Sequence, residues 1–295
     1  MLTLAARMTL STRLSSYFQL TKPRVLILVL FSGATALFIE GGFVSQPLNF
    51  LLVMLGLFLT GGSANALNQY FERDLDAKMS RTRESRPLPQ LRIMPGEAIV
   101  FSIVIGIAGI ILFAAAFNLL TALLALGNIL FYGLFYTLYL KPNTSYNIVI
   151  GGIAGAMAPV GAWTAATGTI GWPAVFLFLI IFFWTPPHFW ALALYLQDDY
   201  REVKLPMLPI VKGEEDTAKQ IFRYTIILVL ISLAFITVQS GLIYILTALI
   251  AGIIFLIKSY YLTFYRDRAN YISLFKYSLS YLFVLFIAVV LEKYI

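Results

Sequence analysis

Stretches of about 20 apolar residues recur from residue 22 to residue 292 with no long polar insert between them, which limits this chain to one kind of fold. Inside hydrocarbon a backbone must satisfy its own polar groups, which a helix does and an open strand does not. The runs predict nine spans, near residues 24–40, 48–70, 97–116, 118–139, 147–166, 172–195, 221–239, 241–262 and 273–292. Two joints are thin: the third and fourth spans part only around Asn118, and the seventh and eighth only at Gln239, Ser240 and Gly241. Composition closes the soluble alternative, because 60% hydrophobic against 12% charged residues, with a mean hydropathy of +0.86, leaves too little polar surface to wrap a globule. The expected architecture is all-α and integral to the membrane: a single nine-helix bundle over 21–295 behind a short cytosolic arm over 1–20.

Charge orients that bundle. With nine spans, all of the 21 Lys and Arg except Lys293 fall on the side of the N terminus. That asymmetry places the N terminus in the cytoplasm and the C terminus across the membrane. The net charge of +7 is therefore read as topology, and no nucleic-acid partner is expected. Arg7, Arg13, Ser11, Ser15 and Ser16 without an acid share the composition of a mitochondrial transit peptide, but a cytosolic arm in a cell inner membrane is the preferred reading. The long charged segments, 71–96 and 196–220, lie on the cytosolic side, where function is expected.

The absence of Cys removes thiolate nucleophiles and thiolate metal sites, leaving carboxylates, amides and the single His188. If the second span runs on helically, Asn68, Glu72 and Asp76 fall at i, i+4 and i+8 on one stripe, with Asn65 a turn earlier. Carboxylates at a helix C-terminus sit at the negative pole of the backbone dipole, so a positive charge belongs beside them. Loop Lys and Arg could supply it in a solvated ion-pair network. A bound Mg²⁺ is the functional alternative, since hard cations take carboxylate and amide oxygens and complete their shell with water and phosphate. Asp198, Asp199 and Glu202 repeat the arrangement after the sixth span. Two acidic groups on one membrane face favour a metal-diphosphate site built from Asn68, Glu72, Asp76, Asp198 and Glu202. Arg24, Arg81, Arg83, Arg86, Lys141, Arg201 and Lys204 are the nearby cations for the diphosphate; Lys141 and Arg81 are preferred, most of the rest being explained by topology.

In this order the motifs resemble the UbiA superfamily of intramembrane prenyltransferases, whose first acidic motif reads Asn-Asp-x-x-Asp-x-x-x-Asp; Asn68, Gln69, Glu72 and Asp76 stand at those places. Gln69 and Glu72 look like the pattern of the heme O synthase branch. So do Leu20-Thr21-Lys22-Pro23-Arg24, Met79-Ser80-Arg81-Thr82 with Arg86-Pro87-Leu88, and Tyr139-Leu140-Lys141. The strongest likeness to the branch is Trp184-Thr185-Pro186-Pro187-His188-Phe189-Trp190 followed by Asp198-Asp199-Tyr200. One extra residue between Arg81 and Arg86 makes Arg86 the less secure of the two, and Val203-Lys204 stand where the branch has Ala-Gly.

The resemblance implies Mg²⁺-dependent transfer of a farnesyl group from farnesyl diphosphate to a vinyl carbon of heme B, with hydration, to give heme O. It implies catalytic roles for Asn68, Glu72, Asp76 and Asp198, and substrate contacts from Arg24, Asn65, Arg81, Arg86, Tyr139, Lys141, His188, Asp199 and Glu202. His188 follows a Pro-Pro pair whose kink frees backbone carbonyls, so it stands open between a packing role and a heme contact through iron or a propionate. Heme A synthase or terminal-oxidase assembly proteins are the protein partners implied. The alternatives are prenylation of an aromatic quinone precursor, which the Pro-Pro-His segment argues against, and a cation-coupled transporter, which expects charge near the bilayer midplane.

Overall fold

The computed structural model describes residues 9–239 and 241–295, so Arg7 and the first part of the expected arm lie outside it. The rest of the arm is a helix, α1 (Leu10–Leu20), capped by the Thr9 hydroxyl on the Thr12 amide. Lys22 then takes a left-handed turn (φ 52°), and Pro23, whose ring presets helical φ, opens α2 (Pro23–Glu40). There follow α3 (Pro47–Asp76), the single turn α4 (Ser80–Arg83) and α5 (Pro95–Ala116). α6 (Leu119–Leu130) runs without interruption into a π-helix (Phe131–Leu140) and the terminal turn α7 (Lys141–Asn143). α8 (Asn147–Thr167), α9 (Trp172–Tyr195), the short α10 (Gln197–Glu202), α11 (Leu208–Ala234), α12 (Leu242–Leu262) and α13 (Arg268–Tyr294) complete the chain.

Among the described residues nine helical segments are long and apolar enough to cross a bilayer, and there is no strand. The protein is an integral membrane protein. Both thin joints are real breaks. The Asn118 carboxamide oxygen accepts from the Thr121 amide at 2.9 Å and starts α6. At the other joint Gln239 donates to the Val289 carbonyl, tying the turn to α13. Helices outrun the apolar stretches at one end: α11 begins at Leu208 rather than near 221, and α13 at Arg268 rather than near 273. Apolar length measures the hydrocarbon, whereas a helix can extend into water on its own backbone bonds. Gly213 (φ 80°, ψ 172°) bends α11 within its polar extension.

α3 lies against α5, α2 against α8, and α9 against α8, α11 and α13. Small residues allow the first of these contacts, since a Cβ on Gly109 of α5 would come within 2.6 Å of Thr60 on α3. Large side chains such as Trp184, Trp190, Tyr281 and Phe286 fill the interior, while Ile103, Ile107, Ile250 and Ile253 face outward, where lipid covers them.

Candidate active site

No Gly or Pro interrupts α3 between Ala64 and Asp76, so the helix carries its last three turns out of the apolar layer and keeps Asn68, Glu72 and Asp76 in register. All three are buried, at 1%, 5% and 2% exposure. Two carboxylates out of water need compensation, and it comes from three other places in the chain. Lys141, at the end of the π-helix, donates to Glu72 Oε1. Arg86 binds Asp76 and lies 3.5 Å from Glu72 Oε2. Lys22 Nζ donates to Asn68 Oδ1 at 2.6 Å, and Asn68 Nδ2 donates back along the stripe to Glu72 Oε1 at 2.9 Å. Burial, reinforced by Arg86, pulls the Lys22 ammonium down to about 7 against the opposing pull of Glu72. Burial also disfavours the Arg86 charge, but Asp76 and Glu72 outweigh it and hold the guanidinium above its ordinary value.

Lys22 is the residue that sequence reasoning passed over in favour of Arg24, which is exposed at the start of α2. Its left-handed turn is held by α3 itself. Asn65 Nδ2 donates to the Thr21 carbonyl at 2.9 Å, and Gln69 Nε2 to the carbonyls of Gln19 and Leu20 at 3.1 and 3.0 Å. Asn65, expected to touch substrate, thus spends its amide N–H on the backbone beside Lys22. The order of Arg81 and Arg86 is also reversed: Arg86 reaches both acids, while Arg81 is exposed and has no carboxylate partner among the described residues. Within α4, the Thr82 hydroxyl donates to the Asp76 carbonyl at 2.8 Å.

The π-helix explains a further difference. Its wider turn brings i and i+5 together, so Thr137, whose hydroxyl donates to the Tyr132 carbonyl at 2.7 Å, faces α3 and accepts from Asn68 Nδ2 at 3.0 Å. Lys141 follows on the same side. Tyr132 and Tyr136 stack at 5.2 Å, with Tyr136 buried. Tyr139, a substrate contact implied by the resemblance, is turned outward at 61% exposure and stacks on Phe135.

The second acidic group sits at the same end of the bundle, since Asn147, just past α7, contacts Met207, which caps α11. It is built differently. Asp198 is exposed and shared between Arg268 at 2.6 Å and Arg201 at 3.6 Å. Asp199 is half-buried and Glu202 exposed, each without an ion pair among the described residues. Arg268, 70 positions away on α13, carried no local signal. Among the described residues no three acidic or His side chains come close enough together to hold one metal ion. Of the expected ligands, Glu72 and Asp76 are paired with Lys141 and Arg86, and Asp198 with Arg268 and Arg201.

His188 lies inside α9, buried between Trp184 at 4.2 Å and Phe275 at 4.5 Å. Its Nδ1 is 2.7 Å from Ser278 Oγ. That hydroxyl donates to the Phe275 carbonyl at 2.6 Å, so the network assigns the proton to Nδ1 and leaves Nε2 an acceptor.

A model of the UbiA prenyltransferase family matches residues 27–287. The chain belongs to that family. As a UbiA prenyltransferase it is 46% identical over 291 residues to the protoheme IX farnesyltransferase of Gloeobacter violaceus, covering 96% of this chain and 93% of that one. It is 44% identical over 282 residues to the enzyme of the same name from Symbiobacterium thermophilum, covering 94% and 93%. Among solved structures, a digeranylgeranylglyceryl phosphate synthase aligns with a TM-score of 0.79 at 21% identity, over 95% of this chain and 98% of that one. A UbiA homologue from Archaeoglobus fulgidus bound to GPP and Mg²⁺ aligns with a TM-score of 0.63 at 14% identity, over 93% and 99%. These likenesses establish the nine-helix prenyltransferase fold.

Proposed function

We propose that this prenyltransferase moves a farnesyl group from farnesyl diphosphate to a vinyl carbon of heme B, with hydration, giving heme O. The names of relatives at 46% and 44% identity support the substrate pair. The buried cluster at the end of α3 carries the chemistry: two carboxylates face three cations, an excess of positive charge that suits a polyanion.

The residues present fit a divalent cation, because Asn68, Glu72 and Asp76 put three oxygen donors on one helical face. Asp198 and Glu202 would add their carboxylates from the second group. When bound, Mg²⁺ supplies charge neutralisation to the departing diphosphate. Arg86, Lys141 and Lys22 bind the diphosphate oxygens and orient them. As the allylic C–O bond breaks, its electron pair stays on the diphosphate, and the Tyr132 and Tyr136 rings lie near the positive charge that develops on the farnesyl carbon. The heme vinyl group adds to that carbon, and water captures the adjoining carbon with loss of a proton. The apolar bundle keeps other water out. His188 suits heme iron better than a propionate, since Nε2 offers a lone pair rather than a proton.

The Lys and Arg asymmetry supports a site on the cytoplasmic side, and the bacterial relatives support a cell membrane. Incubation of the purified protein with farnesyl diphosphate, Mg²⁺ and heme B, followed by mass spectrometry, tests the reading. A farnesylated, hydrated heme is expected; prenylation of 4-hydroxybenzoate with heme untouched would replace it with the quinone-precursor reading.

A further inference from the structure

At the charged end, where α11 and α12 pack together, there is an open groove of about 490 Å³ that shares no residue with the acidic stripe of α3. Lys219, Arg223 and Arg266 line it against one acid, Glu215. Glu215 engages Lys219 at 2.6 Å, and Arg266 spends an N–H on the Thr263 carbonyl, which leaves the rest of its five-donor fork available. Arg223 makes no hydrogen bond or ion pair among the described residues. The groove also holds Phe222, Tyr260 and Phe264, with ring separations of 5.4 and 5.2 Å along the row. Tyr260 and Phe264 are exposed, as aromatic side chains are at a membrane interface.

Helical spacing continues this groove into apolar surface. On α11, Ile226, Ile227 and Leu230 follow Arg223 at i+3, i+4 and i+7, and on α12, Ile257 and Ile253 precede Tyr260 at i−3 and i−7; all are exposed. A cationic head with two apolar ridges below it has the shape of a phospholipid. Topology asks for Lys and Arg at this end, but not for three of them on one groove above such ridges.

We propose that this groove binds an anionic phospholipid, with its phosphate on Arg223, Lys219 and Arg266 and its acyl chains along the isoleucine ridges. Guanidinium groups meet phosphate oxygens through paired N–H donors, which favours phosphate over a generic anion. Free phosphate could use the cations but gains nothing from the ridges, and a zwitterionic lipid gains less from the charge.

Native mass spectrometry of the full chain, released from detergent containing equal phosphatidylglycerol and phosphatidylcholine, tests this. The wild type should retain phosphatidylglycerol preferentially, and the double variant Arg223→Gln with Arg266→Gln should lose about tenfold of that retention. A control double variant, Lys78→Gln with Arg83→Gln, makes the same charge change at the same end outside the groove and should retain the lipid. Equal retention of both lipids, equal loss in the control, or displacement of the lipid by millimolar inorganic phosphate would each overturn the proposal. Heme farnesylation by the double variant in detergent should match the wild type, so failure of the lipid site and failure of the catalytic reading stay distinguishable.

Discussion

Glu72 and Asp76 are 5% and 2% exposed and are paired with cations brought from other elements, whereas the Asp198 side chain is 64% exposed and divided between Arg201 and Arg268. Both groups stand at one end of the bundle and carry the same chemistry. The difference lies in solvent. A buried carboxylate has to be paired for the protein to fold, and breaking a buried pair costs about 3–5 kcal/mol, while an exposed pair contributes about 0–1 kcal/mol. The first group is therefore held in fixed pairs by the fold, whereas the pairs of the second cost little to exchange.

The largest expected effect follows from that contrast. Arg86→Met leaves Asp76 buried without its partner and should destabilise the protein by about 3–5 kcal/mol in detergent unfolding measurements. A loss under about 1 kcal/mol would mean that water reaches the cluster as freely as it reaches Asp198. Next, Glu72→Gln or Asp76→Asn keeps the shape of the stripe but removes a charge, and product formation should fall by about 10²–10³-fold with the protein still folded in the membrane. Near-normal turnover in either variant would remove that residue from the reacting centre.

Lys141→Met should raise the KM for farnesyl diphosphate by about 10–100-fold, the worth of a hydrogen bond to a charged group, with a smaller change in kcat. In the second group, Asp198→Asn should raise the Mg²⁺ concentration for half-maximal turnover by about tenfold, as for removal of a supporting carboxylate at a metal site. Arg268→Gln should lower that concentration by about two- to fivefold, because it frees Asp198 from an exposed ion pair. A loss of kcat in Asp198→Asn as deep as that in Glu72→Gln would erase the distinction between the groups. Smallest of all, Arg81→Gln should leave turnover and stability unchanged within about 0.5 kcal/mol, since its side chain is exposed and unpaired with any acid among the described residues.

Much of the fold was legible because hydrocarbon imposes a one-dimensional rule. Apolar length marks a span, and even the break at Asn118 was readable, its side chain being a good helix cap. The stripe of Asn68, Glu72 and Asp76 was equally legible, since positions on one helix follow from spacing alone. The cations that meet it were not. Lys22 rather than Arg24, and Arg86 rather than Arg81, depend on how a left-handed turn and a loop are folded, and charge composition is blind to both. Tyr139, carried over from the resemblance, faces outward because the chain winds there as a π-helix, whose i→i+5 turn puts Thr137 and Lys141 inward instead.

By itself the sequence determined the membrane class, the nine spans, the common face of the charged segments and the carboxylate stripe, because each rests on contacts near in the chain or on the solvent each residue must face. Tertiary structure alone decided which cations compensate the buried acids, that Asp198 is held by Arg268 instead of joining the α3 cluster, and that Arg223 and Arg266 come to line one groove with the exposed rings of α12. Those pairings join residues 10 to 70 positions apart, and electrostatic energy depends on distance and burial in space, neither of which order along the chain contains.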